Sequence, residues 1–213
     1  ELAPVSKDIS QRCEDVGNNL ASIGANVSYT AKPEHDFLKA EINYQLLLQS
    51  VMQSGMSDDE FKKIEEIASN LDRNDLSADA ILAKGTVLSH RNWIRQNYAR
   101  EQIKISWSKF FQEWDILICP QLATTAIEHD HRKMSERTIM IDNQEQRFFQ
   151  QIFWPGLAVN AHLPSTVFPT GLASDGMPIG LQAIGAVYED KTTIKFAELY
   201  EEEFKAFVVP NLD

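Results

Sequence analysis

Only two of the 213 residues are cysteine, Cys13 and Cys119, too few and too distant in sequence for a disulfide framework. Cys119 falls in the apolar run 116–120 and Cys13 on the apolar stripe of a predicted helix. Both therefore read as small core residues of a reduced, cytoplasmic protein. No apolar run approaches the roughly 20 residues that cross a bilayer, so no membrane insertion is expected. Positive charge is scarce as well: 20 Lys and Arg against 31 Asp and Glu give a net charge of −11. That balance argues against nucleic acid or an anionic membrane surface as a partner. The nine glycines never fall at the spacings of a P-loop or a dinucleotide-binding turn, and no G-x-S-x-G elbow occurs. No cofactor is expected. Glu1 stands where a translated chain carries Met, and no signal-peptide pattern follows it. The expectation is a reading frame that begins upstream, where any targeting segment would also lie.

What is present is enough apolar residue, 43%, to build a core. Asp8 and Gln11 form an N-cap pair for a helix whose apolar stripe is Ile9, Cys13, Val16, Leu20 and Ile23. Gly24 suits its end, and residues 26–30 read as a strand. Residues 34–53 carry a second helical pattern, and Asp58 caps a third. Residues 78–114 read as one long aromatic-rich helix with a break near Gly85. Residues 115–119 are continuously apolar, the pattern of a strand buried on both faces of a mainly parallel sheet. Residues 138–146 alternate around Asp142 and Asn143 as a hairpin would. Residues 147–158 predict a helix broken at Pro155-Gly156. Val167-Phe168 and residues 179–184 supply the last strands, and Asp190 caps a final helix. This order predicts an α/β fold, a mixed β-sheet with helices on both faces, with residues 1–213 as a single partial domain.

Among five histidines only Glu128-His129-Asp130-His131 forms a cluster. An H-x-H pair binds zinc when a distant third ligand converges on it, which gives His129 and His131 a metal-assisted hydrolase reading. No second Cys or His pair has metal-like spacing, so the expected state is a solvated loop and no metal.

The richest stretch is Leu163-Pro164 through Pro169-Thr170-Gly171, followed by Asp175-Gly-Met-Pro-Ile-Gly-Leu-Gln182-Ala-Ile-Gly185 and the helix opened by Glu189 and Asp190. Two short apolar strands are joined there by a glycine turn, with Gln182 placed to aim an amide at neighbouring backbone. With Asp115-Ile-Leu-Ile-Cys-Pro120 before it, this order resembles the C-terminal half of amidase-signature hydrolases. The resemblance is strong after residue 110 and looser before it.

The resemblance implies hydrolysis of a carboxylic amide C–N bond by a serine acyl-enzyme, with a second serine and a neutral lysine assisting. The glycine- and serine-rich loop that carries this chemistry reads like G-G-S-S-G, and this sequence has no Gly-Gly and no Ser-Ser dipeptide. No catalytic residue is therefore assigned, and the chain alone is expected to be inactive. By the same resemblance, Leu122, Phe153 and Trp154 are candidates for the wall of an apolar acyl pocket that binds a small amide substrate. The expected partner is the missing N-terminal half, with self-association in its absence; a non-catalytic binding or assembly module is the alternative. Glutamine-using members of the family carry arginine shortly before a Gly-Thr pair. Here Asp79 to Lys84 precede Gly85-Thr86 without one. Lys84 offers a point charge instead of a planar fork, which favours a general amidase.

Overall fold

A computed structural model describes residues 2–133 and 136–210 of the chain. In chain order the elements are α1 (Lys7–Ser22), α2 (Phe37–Met52), α3 (Asp58–Asn70), α4 (Ala78–Thr86), α5 (His90–Phe110), β1 (Leu117–Pro120), β2 (Thr138–Ile141), β3 (Gln144–Arg147), α6 (Phe153–Ala161), β4 (Ser165–Leu172), β5 (Pro178–Ile184) and α7 (Asp190–Phe204). They fall into two compact units. One comprises the residues up to Pro33 together with those from Ser108 onward; the other is Glu34–Trp107.

The first unit is α/β. Its three-stranded sheet has the order β1-β5-β4, and both pairings are antiparallel. The continuous apolarity of residues 116–119 reports burial, not strand direction, so the parallel neighbour expected for β1 is replaced by antiparallel β5. Phe168, Ile179, Leu181 and Ala183 pack on Ile9 and Val16 of α1 and Tyr200 of α7, forming the core on one sheet face. The Phe168 ring lies edge-on to Phe196 at 5.2 Å and to Tyr200 at 5.0 Å. α6 meets the sheet through Gln182, whose side chain leaves β5 on the side opposite to Leu181 and Ala183.

Local chemistry adjusts several expected boundaries. Ser6, not Asp8, caps α1, its Oγ accepting from the Ile9 N–H. Asp8 instead accepts from the backbone N–H and hydroxyl of Ser174 at 3.3 and 2.8 Å. Residues 26–30 are not a strand: Ser28 Oγ accepts from the N–H groups of Thr30 and Ala31, a local turn that withdraws both donors from any ladder. Pro155 does not break α6, because it occupies the first turn, where its missing N–H has no intrahelical acceptor. Asp190 begins α7, but the N-cap is Glu189 and no side chain caps it. The hairpin forms as predicted, with Asp142 and Asn143 both at positive φ. Its Asp142 carboxylate accepts from the Lys7 N–H at 3.0 Å, placing negative charge on the first turn of α1.

The second unit is helical. Ser57 caps α3 in a reciprocal capping box with Glu60. The long pattern of residues 78–114 divides into α4 and α5, and the break falls at residues 87–89, just past Gly85. Gly85 serves close approach instead: a Cβ there would lie 2.7 Å from Gln49 Cβ and 3.2 Å from the Leu46 carbonyl oxygen of α2.

Candidate functional site

The polar hub of the first unit is Gln182, 1% exposed at the centre of β5. Its Nε2 donates to the carbonyls of Pro120 (3.0 Å) and Trp154 (2.8 Å), and its Oε1 accepts from the Ser165 hydroxyl at 2.9 Å. One buried amide thus ties together the ends of β1, α6 and β4. The three bonds together satisfy the Gln182 amide, whose polar atoms would each cost about 1–3 kcal/mol to bury unpaired. The hub fixes where the loop after Pro120 and the N-terminus of α6 stand, and these two segments carry the three predicted site residues.

Leu122 is 45% exposed beside Ala123, which is buried. Phe153 is buried, its ring edge-on to Trp154 at 5.2 Å. Trp154 is half-buried, and its indole N–H is enclosed with no hydrogen-bond partner among the described residues. Trp154, Ala123, Ile139 and Ile141, with Gln146, Gln150 and Gln151, line a narrow cleft of about 10 Å³, room for a single water molecule; Leu122 does not line it. The sequence pointed to Trp154 but not to Ala123, Ile139 or Ile141. The alternation of Ile139 and Ile141 in β2 was the available signal, yet alternation does not say what the apolar face covers. The N-terminal segment closes over the same region, the Ser6 N–H donating to the Ala123 carbonyl at 2.8 Å.

Electrostatics around the sheet favour neutral groups. Burial pushes the Cys13 thiol up to about 11 from 9.0, with Glu14 adding to the shift. Cys119 is raised still further, again chiefly by burial. Both cysteines are free thiols. The Glu128–His131 cluster is organised by Asp130, which takes a forked interaction from the Arg132 guanidinium, 2.7 Å at its shortest. Arg132 also holds the Asp130 carboxyl down to about 2. The rings of His129 and His131 lie 6.3 Å apart. Among the described residues no group of three or more His, Cys, Asp or Glu side chains gathers in a metal-binding arrangement. Among them, too, no helix is long and apolar enough to cross a membrane.

In the second unit Lys84, the residue before Gly85-Thr86, spends its ammonium on main-chain carbonyls. It donates to those of Asp72 (2.9 Å), Arg73 (3.2 Å) and Asp75 (2.6 Å). All three of its protons are engaged in closing the loop between α3 and α4.

A small antiparallel sheet with helices on both faces, and one buried amide organising a loop and a helix start beside a narrow cleft, is the scaffold on which the three predicted site residues sit. A family model described as Amidase matches residues 1–194, and the chain belongs to that family. Curated relatives include the A subunit of glutamyl-tRNA(Gln) amidotransferase from Thermosynechococcus vestitus (strain NIES-2133 / IAM M-273 / BP-1), 31% identical over 111 residues. That match takes in 52% of this chain and 21% of the relative. The protein of the same name from Aliarcobacter butzleri (strain RM4018) is 34% identical over 101 residues, 47% of this chain and 20% of the relative. Among solved structures, an amidase superposes with a TM-score of 0.64 at 15% identity, covering 93% of this chain and 42% of its own. The corresponding amidotransferase protein of Thermotoga maritima superposes with a TM-score of 0.64 at 16% identity, covering 98% and 43%. The chain thus spans about a fifth of those curated relatives and about two-fifths of those solved chains, and at such identities the superpositions establish the shared fold.

Proposed function

We propose that these residues form the C-terminal part of an amidase that cleaves carboxylic amide C–N bonds through a serine acyl-enzyme, and that the reacting groups are carried by polypeptide outside the 213 residues. The observation that carries this reading is the family match over residues 1–194 combined with coverage of only 42% of a solved amidase. The sequence also holds no Gly-Gly or Ser-Ser dipeptide from which the family's oxyanion and nucleophile loop could be built.

In this reading Trp154 and Leu122 wall the acyl pocket, and Phe153 backs the indole from the core. The enclosed Trp154 N–H is an unpartnered donor beside a narrow cleft, which widens into an acyl site only where the rest of the fold completes it. The substrate is a small amide with an apolar acyl group. The arginine that glutamine-using members carry just before the Gly-Thr pair has no counterpart in residues 79–84, and Lys84 is already committed to three carbonyls. A general amidase is therefore favoured over glutamine-dependent transfer. The partner of this chain is the remainder of the amidase fold, and the compartment is the cytoplasm.

A fluorophosphonate probe tests the reading. Intact-mass spectrometry should show one adduct on the protein extended upstream through its Gly-Gly-Ser-Ser-Gly-like loop, and none on residues 1–213. Stoichiometric labelling of this chain by itself would overturn it. In the extended enzyme, Trp154→Ala should raise KM for an aryl or alkyl amide at least several-fold.

A further inference from the structure

The second unit holds a groove that the amidase reading does not use. α2 and α5 are tied at two places. The Asn43 side-chain amide, 3% exposed, donates to the Gln96 carbonyl at 2.8 Å and to Gln96 Oε1 at 2.9 Å. Near the start of α2, His35 Nδ1 meets the hydroxyl of Ser106, itself 8% exposed, at 3.2 Å. Ala40 and Ala99 line the space between the two helices with side chains too short to fill it, and Ile42 and Ile103 add its walls. The resulting open groove has room for about 440 Å³, within the roughly 300–1,000 Å³ typical of small-molecule sites. Both ties are made in the protein as it stands, so the groove is held open in advance.

Its chemistry selects the occupant. Lys39 and Asp36 at the rim pair with one another at 3.5 Å. Burial lowers the pKa of His35, which keeps the imidazole neutral at physiological pH. An ionic ligand would lose hydration without gaining an unpaired counter-charge, whereas an apolar body loses nothing by entering. His35 Nδ1 is held by Ser106 and its ring is set against Phe37 at 4.5 Å, leaving Nε2 as the ring atom for a ligand. Gln102 adds a side-chain amide to the same lining. We propose that the α2–α5 groove binds a small uncharged, largely apolar molecule whose hydrogen-bonding group meets His35 Nε2.

Acetanilide, a neutral aryl amide, is the probe, titrated into the full chain and followed by amide and methyl NMR. Saturable shifts at Ala40, Ala99 and Ile103 are expected, with dissociation in the millimolar range. Ala99→Trp, which fills the groove, should weaken binding at least tenfold with the circular dichroism spectrum unchanged. Should that variant misfold, His35→Phe keeps the ring and removes the polar atoms, and should weaken binding about fivefold. Equal binding of the anion p-toluate would overturn the proposal, as would affinity indifferent to His35→Phe. Shifts confined to Ala123 and Trp154 would overturn it while leaving the acyl-wall reading intact. Protection of Ala40 and Ala99 by polypeptide in the upstream-extended protein, with no acetanilide shift there, would also overturn it.

Discussion

Gln182 makes three hydrogen bonds from one buried amide, so its removal takes a partner from the Pro120 and Trp154 carbonyls and from the exposed Ser165 hydroxyl. Gln182→Leu keeps the approximate volume and should cost about 3–5 kcal/mol, since each orphaned buried group costs about 1–3 kcal/mol and some recover water. Urea unfolding followed by tryptophan fluorescence measures this; a loss below about 1 kcal/mol would show that the hub does not organise the sheet. The strand pattern around Gln182 is legible in sequence, and so is an amide aimed at backbone. Its acceptors are not, because Pro120 and Trp154 lie 62 and 28 residues away. Arg12 is a second case: on the polar face of an amphipathic helix it reads as solvated, yet its guanidinium holds the carbonyls of Thr170 and Leu172 around Gly171. Gly171 has φ +106°, and a Cβ there would approach Arg12 Nη1 to 2.7 Å. The backbone conformation is what requires glycine, since the arginine end could shift, though only by giving up its hold on these carbonyls. Cys13 gives a pH-dependent consequence. With its thiol raised to about 11 from 9.0 in the folded state, the unfolded chain releases that proton first as pH rises. Stability is fully present below pH 9 and falls between about pH 9 and 11, by up to about 2–3 kcal/mol. Cys13→Ala should flatten that alkaline decline in a series of urea titrations; an unchanged slope would remove Cys13 as its cause.

At the scale of elements, propensity and capping account for where helices start, and close approach accounts for how they meet. The capping box of α3 satisfies two terminal donors from Ser57 and Glu60. Ser57→Ala should therefore cost about 1 kcal/mol, read as a lower midpoint of helix loss by circular dichroism. Gly85→Ala tests the crossing of α2 and α4. Its methyl would stand 3.2 Å from a carbonyl of α2, backbone that cannot step aside as a side chain can. Destabilisation of about 1–3 kcal/mol is expected even though alanine is the better helix former. A gain in stability would mean that the two helices separate freely. The amphipathic stripe of α1, the glycine turn and the Asp142-Asn143 hairpin could be read from residues alone because each is specified within a few positions. Residues 26–30 could not. Their β-like composition loses to a serine that serves two backbone donors locally, a competition that periodicity does not register. Strand direction at β1 was equally invisible, since an apolar run measures burial and nothing more.

At the scale of the whole molecule, the way the sheet unit meets a partner follows from its edges and faces. β1 ends at Pro120 and β4 carries Pro169 within it, so both outer strands lack one backbone donor. Proline at an edge opposes strand addition, which makes the part of the Gln182 face that α6 leaves exposed the better place for contact. That face holds Val167, 52% exposed and directly opposite Gln182 in register. In the same unit Tyr188 is 93% exposed at φ +67°, a conformation that bulky residues rarely adopt without compensation from a contact. Association should therefore be face-to-face and driven by apolar area. Sedimentation velocity of the chain should show mass rising with concentration, and Val167→Glu should lower the association constant at least tenfold while leaving the unfolding midpoint within a degree or two. Adding the upstream portion of the amidase fold should displace the self-associated form and bury Tyr188, seen as protection from nitration by tetranitromethane. If Val167→Glu associates as strongly as the unaltered chain, the contact lies elsewhere, and the face beside Gln182 is not where the proposed remainder of the fold would dock.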